Sequence, residues 1–527
     1  MRMKKTKRWA VADCETDPFK HGREIEPFIW GFQEFGHEVI IFDGVSATTD
    51  FLDYLHDFDG ICYAHNGGKF DWMFSDVLER LNRDDKMMII NGRIAKAKMG
   101  KCELRDSWLC LPVPLAAINK DEFNYIKLEK NVRHKYMHEI RKYLANDCKY
   151  LLEAMTRYIE INGQKLTQAG AAMAAWEAMG GEKRRYSASH DAKFRPFYFG
   201  GRTQVFEYLN GEKRDYKCYD INSAYPTAMK DTHPVGMRYT ESDNLDDLIG
   251  GSFWTVKAIS NGALISRKAD GGVWFPTDGQ VREYKATGWE VIAGLETGTL
   301  KIIDAHGLVP EKTESLESYV ERFYTEKLEA EKAEDRTGRE LAKLKLNSLY
   351  GKYGMNPAEH KEYKLGMSPE DETNGWLMHE MITTRNGELI IVAWRPSPTA
   401  IYYDVALAAS VTGHARAQLW RAVCSSKGVV YSDTDSIICE SSEVKIGDKL
   451  GEWSVDFIAT RGWIAGKKLY TFKLENGNYK SASKGVRATP SEIKKVAGGG
   501  EVGIKRDAPT LKLSGRQDFI SRRIRKT

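Results

Sequence analysis

The stretch YSDTDSI, residues 431–437, follows the apolar run GVV and sets Asp433 and Asp435 one residue apart between hydroxyl side chains. Aspartate is a poor strand former, so a pair at the end of an apolar run needs a reason. One reading is an ordinary hairpin with an Asp-rich polar turn. The other is a pair of carboxylates that hold something positive. The choice depends on whether the rest of the chain supplies matching groups.

Composition narrows it. The chain has 527 residues, 42% hydrophobic and 29% charged, enough for several domains and a large buried core. No apolar run approaches the length needed to span a bilayer. MRMKKTKR (1–8) resembles the start of a signal peptide, but WAVADCETD follows, with charges where an apolar core would be. A cytosolic protein without a membrane partner is expected. The eight cysteines (Cys14, Cys62, Cys102, Cys110, Cys148, Cys218, Cys424, Cys439) contain no CxxC pair, which argues against a zinc site and for reduced thiols. A net charge of +4 is small for this length, so a face for a polyanion must come from local clusters. Basic groups do gather at GKK (466–468), KGVR (484–487) and SRRIRKT (521–527).

The first 160 or so residues read as alternating strands and helices, hence an α/β domain. KRWAVADCE and HEVIIFDG fit strands, TDFLDYLHDF and DVLERLNRD fit helices, and Thr or Asp is available to cap the first helix. Residues 315–350 form a long helical stretch dense in Glu, Lys, Arg and Leu. Residues 240–310 and 360–400 are richer in Gly, Thr, Trp and short β-like runs.

In VADCETD, Asp13 and Glu15 sit at i and i+2 on an expected strand, so both point to one face. Two neighbouring acids repel unless a cation lies between them; a charged strand end is the plain alternative. YAHNGGKFDWMF adds Asn66 and Asp71, with Phe70 to pack beneath. YLANDCKYLL adds Tyr143 and Asp147 on one helix face. Asp13, Glu15, Asp71 and Asp147 together offer enough oxygen ligands for two hard cations such as Mg²⁺ or Mn²⁺, with Tyr143 to orient a water. The set reads as a nuclease site.

A second set begins at CYDINSAYPTAM, where Asp220 ends a short strand before a helix. If that strand lies beside YSDTDS, then Asp220, Asp433 and Asp435 converge, and the paired aspartates become half of a second two-metal site. DRTGRELAKLKLNSLYGKYG (335–354) tips the balance. Arg336, Arg339, Lys343, Asn347 and Tyr350 follow helical spacing and form one cationic, hydrogen-bonding stripe that ends in an aromatic. A solvated basic face is the usual account of such a stripe. Positive groups aimed at a triphosphate are what phosphoryl transfer requires.

These motifs resemble those of family-B DNA polymerases. YDINSAYP, KLKLNSLYG and YSDTDS are similar, in that order, to the three polymerase motifs. VADCETD, NGGKFD and YLAND are similar to the three motifs of the 3′–5′ proofreading exonuclease. RPFYFGGR (195–202) resembles the YxGG element between the two domains, IAGKKLY (464–470) the KxY element, and SASKG (481–485) the lysine element after it. The combination in so short a chain is similar to the protein-primed replicative polymerases of phages, closest to the tectivirus type, and covers roughly residues 8–490.

The resemblance implies an α/β and α+β multidomain fold, with a ribonuclease-H-like exonuclease before a right-hand polymerase of palm, fingers and thumb. Expected boundaries are exonuclease 1–165, linker with YxGG 166–202, palm 203–235, a first terminal-protein-region insertion with palm 236–314, fingers 315–354, a second insertion 355–400, palm 401–485 and a small thumb 486–527. The resemblance assigns Asp220, Ile221, Asp433 and Asp435 to the polymerase metals and Asp13, Glu15, Asp71 and Asp147 to the exonuclease metals, two ions per site. Tyr225 would exclude a 2′-hydroxyl. Lys343, Asn347, Tyr350 and Gly351 would shape the nucleotide pocket, with Lys332, Arg336 or Arg339 a second triphosphate contact. Tyr198, Gly200, Gly201, Arg416 and Lys484 would contact DNA. Lys468 and Tyr470 would hold the primer end, and His65, Asn66 and Phe70 a single strand. Lys127 and Lys130 compete for the family's extra exonuclease lysine.

Implied partners are template and primer DNA, dNTPs and a terminal protein that primes, for a monomer in the cytoplasm of a bacterial host. The hairpin GWLMHEMITTRNGELIIVAW (375–394) would help to close a ring around DNA, giving strand displacement. The enzymatic rivals are a DNA-primed family-B polymerase and a reverse transcriptase or RNA polymerase, the last two opposed by the exonuclease set and Tyr225. A non-catalytic scaffold of the same fold would be expected to lose a carboxylate, and none is missing.

Overall fold

The computed structural model describes residues 6–117, 119, 121–384, 386–398 and 401–526. The N-terminal body is a seven-stranded sheet in the order Ile40–Phe42, Pro27–Glu34, Trp9–Thr16, Ile61–Ala64, Cys102–Asp106, Arg93–Met99, Met88–Ile90. Trp9–Thr16 is central, antiparallel to Pro27–Glu34 and parallel to Ile61–Ala64. That position explains its apolar run WAVA, since a central strand is covered on both faces. The helices Ala47–Asp57 and Met137–Asn162 supply much of that cover. The first lacks the expected side-chain cap: Ser46 precedes it and bonds Asp50 instead.

The C-terminal half is built on a second seven-stranded sheet: Tyr479–Ser483, Leu469–Leu474, Trp453–Gly466, Asn210–Ile221, Ser436–Cys439, Tyr431–Asp433, Thr203–Val205. Every neighbouring pair in it is antiparallel. The strand that ends at Asp220 and Ile221 is long, from Asn210, where a short one was expected. Helix Val405–Cys424, buried along most of its length, passes behind this sheet. The segment 166–202 holds two helices, Gln168–Ala178 and Ala188–Phe194, where a linker was expected.

The expected long helix of 315–350 is a hairpin of two, Glu317–Lys332 and Arg336–Tyr353. Between them Glu334 takes φ +55°, and Asp335 accepts the Gly338 N–H at 2.8 Å as the new N-cap. The spacing hides this break because charged residues run through it without Gly or Pro.

Two further sheets sit where insertions were expected. One has four antiparallel strands, Tyr239–Ser242, Leu300–Pro310, Phe253–Ser260 and Val281–Thr287. The other has three, Lys361–Leu365, Leu389–Pro396 and Leu377–Thr383. The last two form the expected hairpin; of its turn, Gly387 has φ +80° and Arg385 lies outside the described residues. Tyr363, Leu365, Ile382, Ile390 and Val392 of this sheet are buried in the same core as Trp30 and Phe51 of the N-terminal body. So are Leu511 and Leu513 of the C-terminal segment, which also exchanges two hydrogen bonds between Gln517 and the Ile25 backbone. No helix among the described residues is long and apolar enough to cross a membrane.

Candidate active sites

The opening stretch is both a hairpin and a carboxylate site. Tyr431–Asp433 and Ser436–Cys439 pair with Asp433 opposite Ser436, which leaves Thr434 and Asp435 as a two-residue turn. Thr434 has φ +60°, a left-handed conformation that a β-branched residue rarely adopts. Neighbouring backbone holds it there: the Thr434 N–H donates to the Arg202 carbonyl at 2.6 Å, and the Ile221 N–H donates to the Asp435 carbonyl at 2.8 Å. Asp220 lies opposite Ser436 on the adjoining strand, so Asp220 and Asp435 meet on the wall of a cleft of about 530 Å³ that Ile221 also lines. Burial and then the Asp435 charge push the Asp220 carboxyl up to about 7. Burial raises Asp435 as well.

Asp433 has a different setting. Its two oxygens accept from the Lys468 ammonium at 2.7 Å each, and Oδ1 accepts from the Thr203 hydroxyl at 2.9 Å. Lys468 is itself in a left-handed conformation, with its N–H donated to the Tyr431 hydroxyl at 2.8 Å, and Tyr470 packs its ring on Tyr431. The KxY element thus grips the aspartate hairpin directly. Lys484 is exposed beside it, its N–H on the Lys468 carbonyl.

Across the cleft from Asp220 stand Arg339, Lys343 and Asn347 of the second fingers helix, joined by Tyr324 and Lys327 of the first. Arg339 is therefore the one of the three competing bases that faces this cleft; Arg336 lines a separate groove beside Ala117 and Glu334. Lys327 escaped the sequence reading because the stripe was traced along one helix only. Tyr225 stacks on Tyr350 with ring centroids 4.5 Å apart. Gly351 has open space where a side chain would stand.

In the YxGG element Tyr198 packs against Gly354, and Gly200 is open around its Cα. Gly201 is not: a Cβ there would lie 2.8 Å from the Thr434 side chain and 3.0 Å from the Tyr225 hydroxyl. Arg416 lies behind this loop. It is only 3% exposed, its guanidinium is paired with both Glu290 oxygens at 2.7 and 2.9 Å, and it donates to the Phe199 and Gly200 carbonyls at 2.7 and 2.8 Å. Arg416 holds the YxGG loop from behind. In a sequence, a buried arginine satisfied by Glu290, 126 residues away, looks no different from a surface one.

The second acidic site lies on the N-terminal sheet. Asp13, Glu15 and Asp147 each offer a carboxylate oxygen, all within 4.8 Å of one another. Gly31 permits this closeness: a Cβ there would lie 2.7 Å from Cys148 Sγ, so glycine lets the helix bearing Asp147 settle onto the strands. Asp71 sits apart from the other three. It is 1% exposed, accepts from Cys14 Sγ at 3.3 Å, and is pushed up to about 7, chiefly by burial. Cys14, between the two acids in sequence, was missed as a partner because its residue type carried no signal. Tyr143 has its phenol held above the ordinary range by burial first and by the neighbouring Tyr125 hydroxyl second.

Asp13 and Asp71 line a cleft of about 940 Å³ with His65, Asn66 and Phe70. The two His65 ring nitrogens are bonded to the Ser107 hydroxyl and the Val113 carbonyl, at 3.0 and 2.9 Å. Lys127 pairs with Glu139 and lies over the Tyr136 ring, and Lys130 is exposed. The cations that do line the cleft are Lys69, Arg506 and Lys512. Two of them come from the C-terminal segment, which nothing local in the sequence brings here.

A family model described as DNA polymerase type B, organellar and viral, matches residues 105–398. The chain is 34% identical over 98% of both chains to the DNA-directed DNA polymerase of Enterobacteria phage PRD1. It is 26% identical to a probable DNA polymerase of Agaricus bitorquis over 53% of this chain and 40% of that one. In structure it is similar to phi29 DNA polymerase complexed with primer-template DNA and incoming nucleotide, at TM-score 0.75 and 17% identity, covering 99% of this chain and 100% of that one. The multidomain architecture, an N-terminal α/β domain before palm, fingers and thumb, follows from that full-length fold match. With the family model matched over more than half of its length and the phage relative over nearly all of it, the chain belongs to the type B DNA polymerases, organellar and viral, and is a DNA-directed DNA polymerase.

Proposed function

We propose that this polymerase carries two separate chemistries: template-directed deoxynucleotidyl transfer at Asp220 and Asp435, and 3′–5′ proofreading at Asp13, Glu15, Asp71 and Asp147. The observation that carries the reading is the pairing of each acidic wall with cations across a cleft, Arg339, Lys343 and Lys327 in one and Lys69, Arg506 and Lys512 in the other. Both acidic sets suit hard divalent cations, because a positive charge between clustered carboxylates offsets their mutual repulsion and, at Asp220, the burial that opposes ionisation. Mg²⁺ or Mn²⁺, two per site, would supply the charge that activates an attacking oxygen and stabilises a leaving one. Asp220, Ile221 and Asp435 would hold those of the polymerase site. Asp433, tied to Lys468 and Thr203, keeps the turn in register and leaves Asp435 to face the nucleotide.

The fingers cations would bind the triphosphate and offset charge that grows on it in the transition state. Tyr225, braced by its stack on Tyr350, would leave no room beside the sugar for a 2′-hydroxyl. In the second site Tyr143 would orient a water, while His65, Asn66 and Phe70 receive the frayed strand. The sheet Tyr239–Pro310 would dock a priming protein, and the hairpin Leu377–Pro396 would help the chain encircle DNA and displace a strand ahead of it. The setting would be the cytoplasm of an infected cell, with the polymerase a monomer.

Asp435→Ala should abolish primer extension in Mg²⁺ and leave single-strand degradation unchanged, and Asp13→Ala with Glu15→Ala should do the reverse. Loss of both activities in either folded variant would refute the assignment to two sites.

A further inference from the structure

Between the strand Cys102–Asp106 and the helix Met137–Asn162 lie residues 107–136, whose described members form short 3₁₀ turns and loop. Connections of this length are usually functional or disordered. This one is packed against the proofreading site. Phe123 lays its ring on Tyr143, centroids 4.4 Å apart and planes 22° from parallel. Tyr125 stands edge-on to the same ring at 6.4 Å and 89°, and the Tyr125 and Tyr143 hydroxyls are 3.2 Å apart. Tyr125 is 48% exposed and its neighbour Ile126 is 70% exposed. Core filling therefore does not account for a tyrosine at 125. A half-exposed phenol has water available for its hydroxyl, yet here the hydroxyl is directed at Tyr143.

We propose that Tyr125 is a positioning residue of the proofreading site: its hydroxyl, bonded to that of Tyr143, fixes the direction in which Tyr143 presents its oxygen to the Asp13, Glu15 and Asp147 cluster. This rests on reading that cluster as an exonuclease site. A phenol has one donor and two acceptor positions, and its O–H turns freely unless a partner selects a direction. Stacking on Phe123 limits the tilt of the Tyr143 ring. The bond to Tyr125 limits rotation of its hydroxyl. Tyr125 contacts no reacting atom and acts through Tyr143 alone.

The test is single-turnover release of the 3′ nucleotide from a single-stranded oligonucleotide in Mg²⁺, with Tyr125→Phe, Tyr143→Phe and the double variant. Tyr125→Phe keeps the ring and removes only the hydroxyl. The rate at saturating DNA should fall about 3- to 10-fold, the range one neutral hydrogen bond supplies. The DNA concentration for half-maximal rate should not move. The double variant should be no slower than Tyr143→Phe, since the two hydroxyls act as one unit. Wild-type-like primer extension by the same preparations checks the fold. A wild-type cleavage rate for Tyr125→Phe, losses that multiply in the double variant, or a change confined to the half-maximal concentration would each overturn the proposal. Asp13→Ala separates the two levels. If it still degrades the strand, the exonuclease reading fails; if it is inactive while Tyr125→Phe is unaffected, only the positioning role fails.

Discussion

Thr434 shows how much local cost a catalytic turn can tolerate. A non-glycine residue in the left-handed region costs on the order of 1–3 kcal/mol and persists only when its surroundings over-determine it. Here the surroundings are Arg202 on its N–H and Gly201 against its side chain. Gly201→Ala should therefore move the turn and lower primer extension by about 10²-fold at saturating DNA, the order a misplacement of about 1 Å produces. Gly200→Ala meets open space, so it should raise only the template-primer concentration required. Equal effects of the two in steady-state extension kinetics would refute the distinction. Asp220 gives a second prediction. Its carboxyl is raised to about 7 from an ordinary value near 4, so the metal-free folded protein binds more protons than the unfolded chain in that window. Its contribution to stability then falls as pH rises from about 4 to about 7. Asp220→Asn should raise the Tm in EDTA by about 1–3 °C at pH 7.5 and hardly at all at pH 4.5. Mg²⁺ should reverse the order by stabilising the wild type. No gain at pH 7.5 would mean that the carboxyl is not strained in the metal-free state.

Among the elements, the hairpin Leu377–Pro396 separates what a sequence makes legible from what it does not. The turn signal Arg385-Asn386-Gly387 makes its outline legible in the sequence. Which face would be buried, and against what, was not readable. Ile382, Ile390 and Val392 enter the core of the N-terminal sheet, some 300 residues earlier in the chain, while Leu377, Met378, Met381 and Leu389 remain exposed. The same division runs through the sites. Asp13, Glu15, Asp220 and Asp435 were legible because strand alternation and strand ends fix where their carboxylates go. The burial of Arg416, the turning away of Asp433 and the arrival of Lys327 were not, because each is decided by a partner distant in sequence. The hairpin has a practical consequence. Replacing it with a flexible linker would open the N-terminal core and confuse two effects. Changing Met378, Met381 and Leu389 to Ser spares that core. The triple variant should keep its Tm within about 2 °C and fill short gaps normally. It should lose most synthesis through duplex DNA, read as product length against a DNA trap. Undiminished strand displacement would remove the hairpin face from that role.

For the whole molecule, the joining of the C-terminal segment to the N-terminal sheet is the feature that would link the two proposed chemistries. Leu511 and Leu513 anchor the segment in the core of the N-terminal sheet, and Gln517 ties it to Ile25. That anchoring carries Arg506 and Lys512 over the cleft that contains Asp13 and Asp71. The C-terminal segment thus forms one wall of the cleft that would serve proofreading. Arg506 and Lys512 are placed to meet phosphates of a strand that enters, and phosphate contacts set affinity through counterion release. Each such contact to a single strand contributes about 0.7 to the slope of log affinity against log salt. Arg506→Ala with Lys512→Ala should therefore flatten that slope by about 1.4 for a single-stranded oligonucleotide. Cleavage at saturating DNA should change little, because neither cation is assigned to the reacting phosphate. Salt titrations of strand binding, run beside single-turnover cleavage, measure both quantities. An unchanged slope would mean that the strand enters by another wall, and a collapse of the saturated rate would move one of these cations into the chemistry itself.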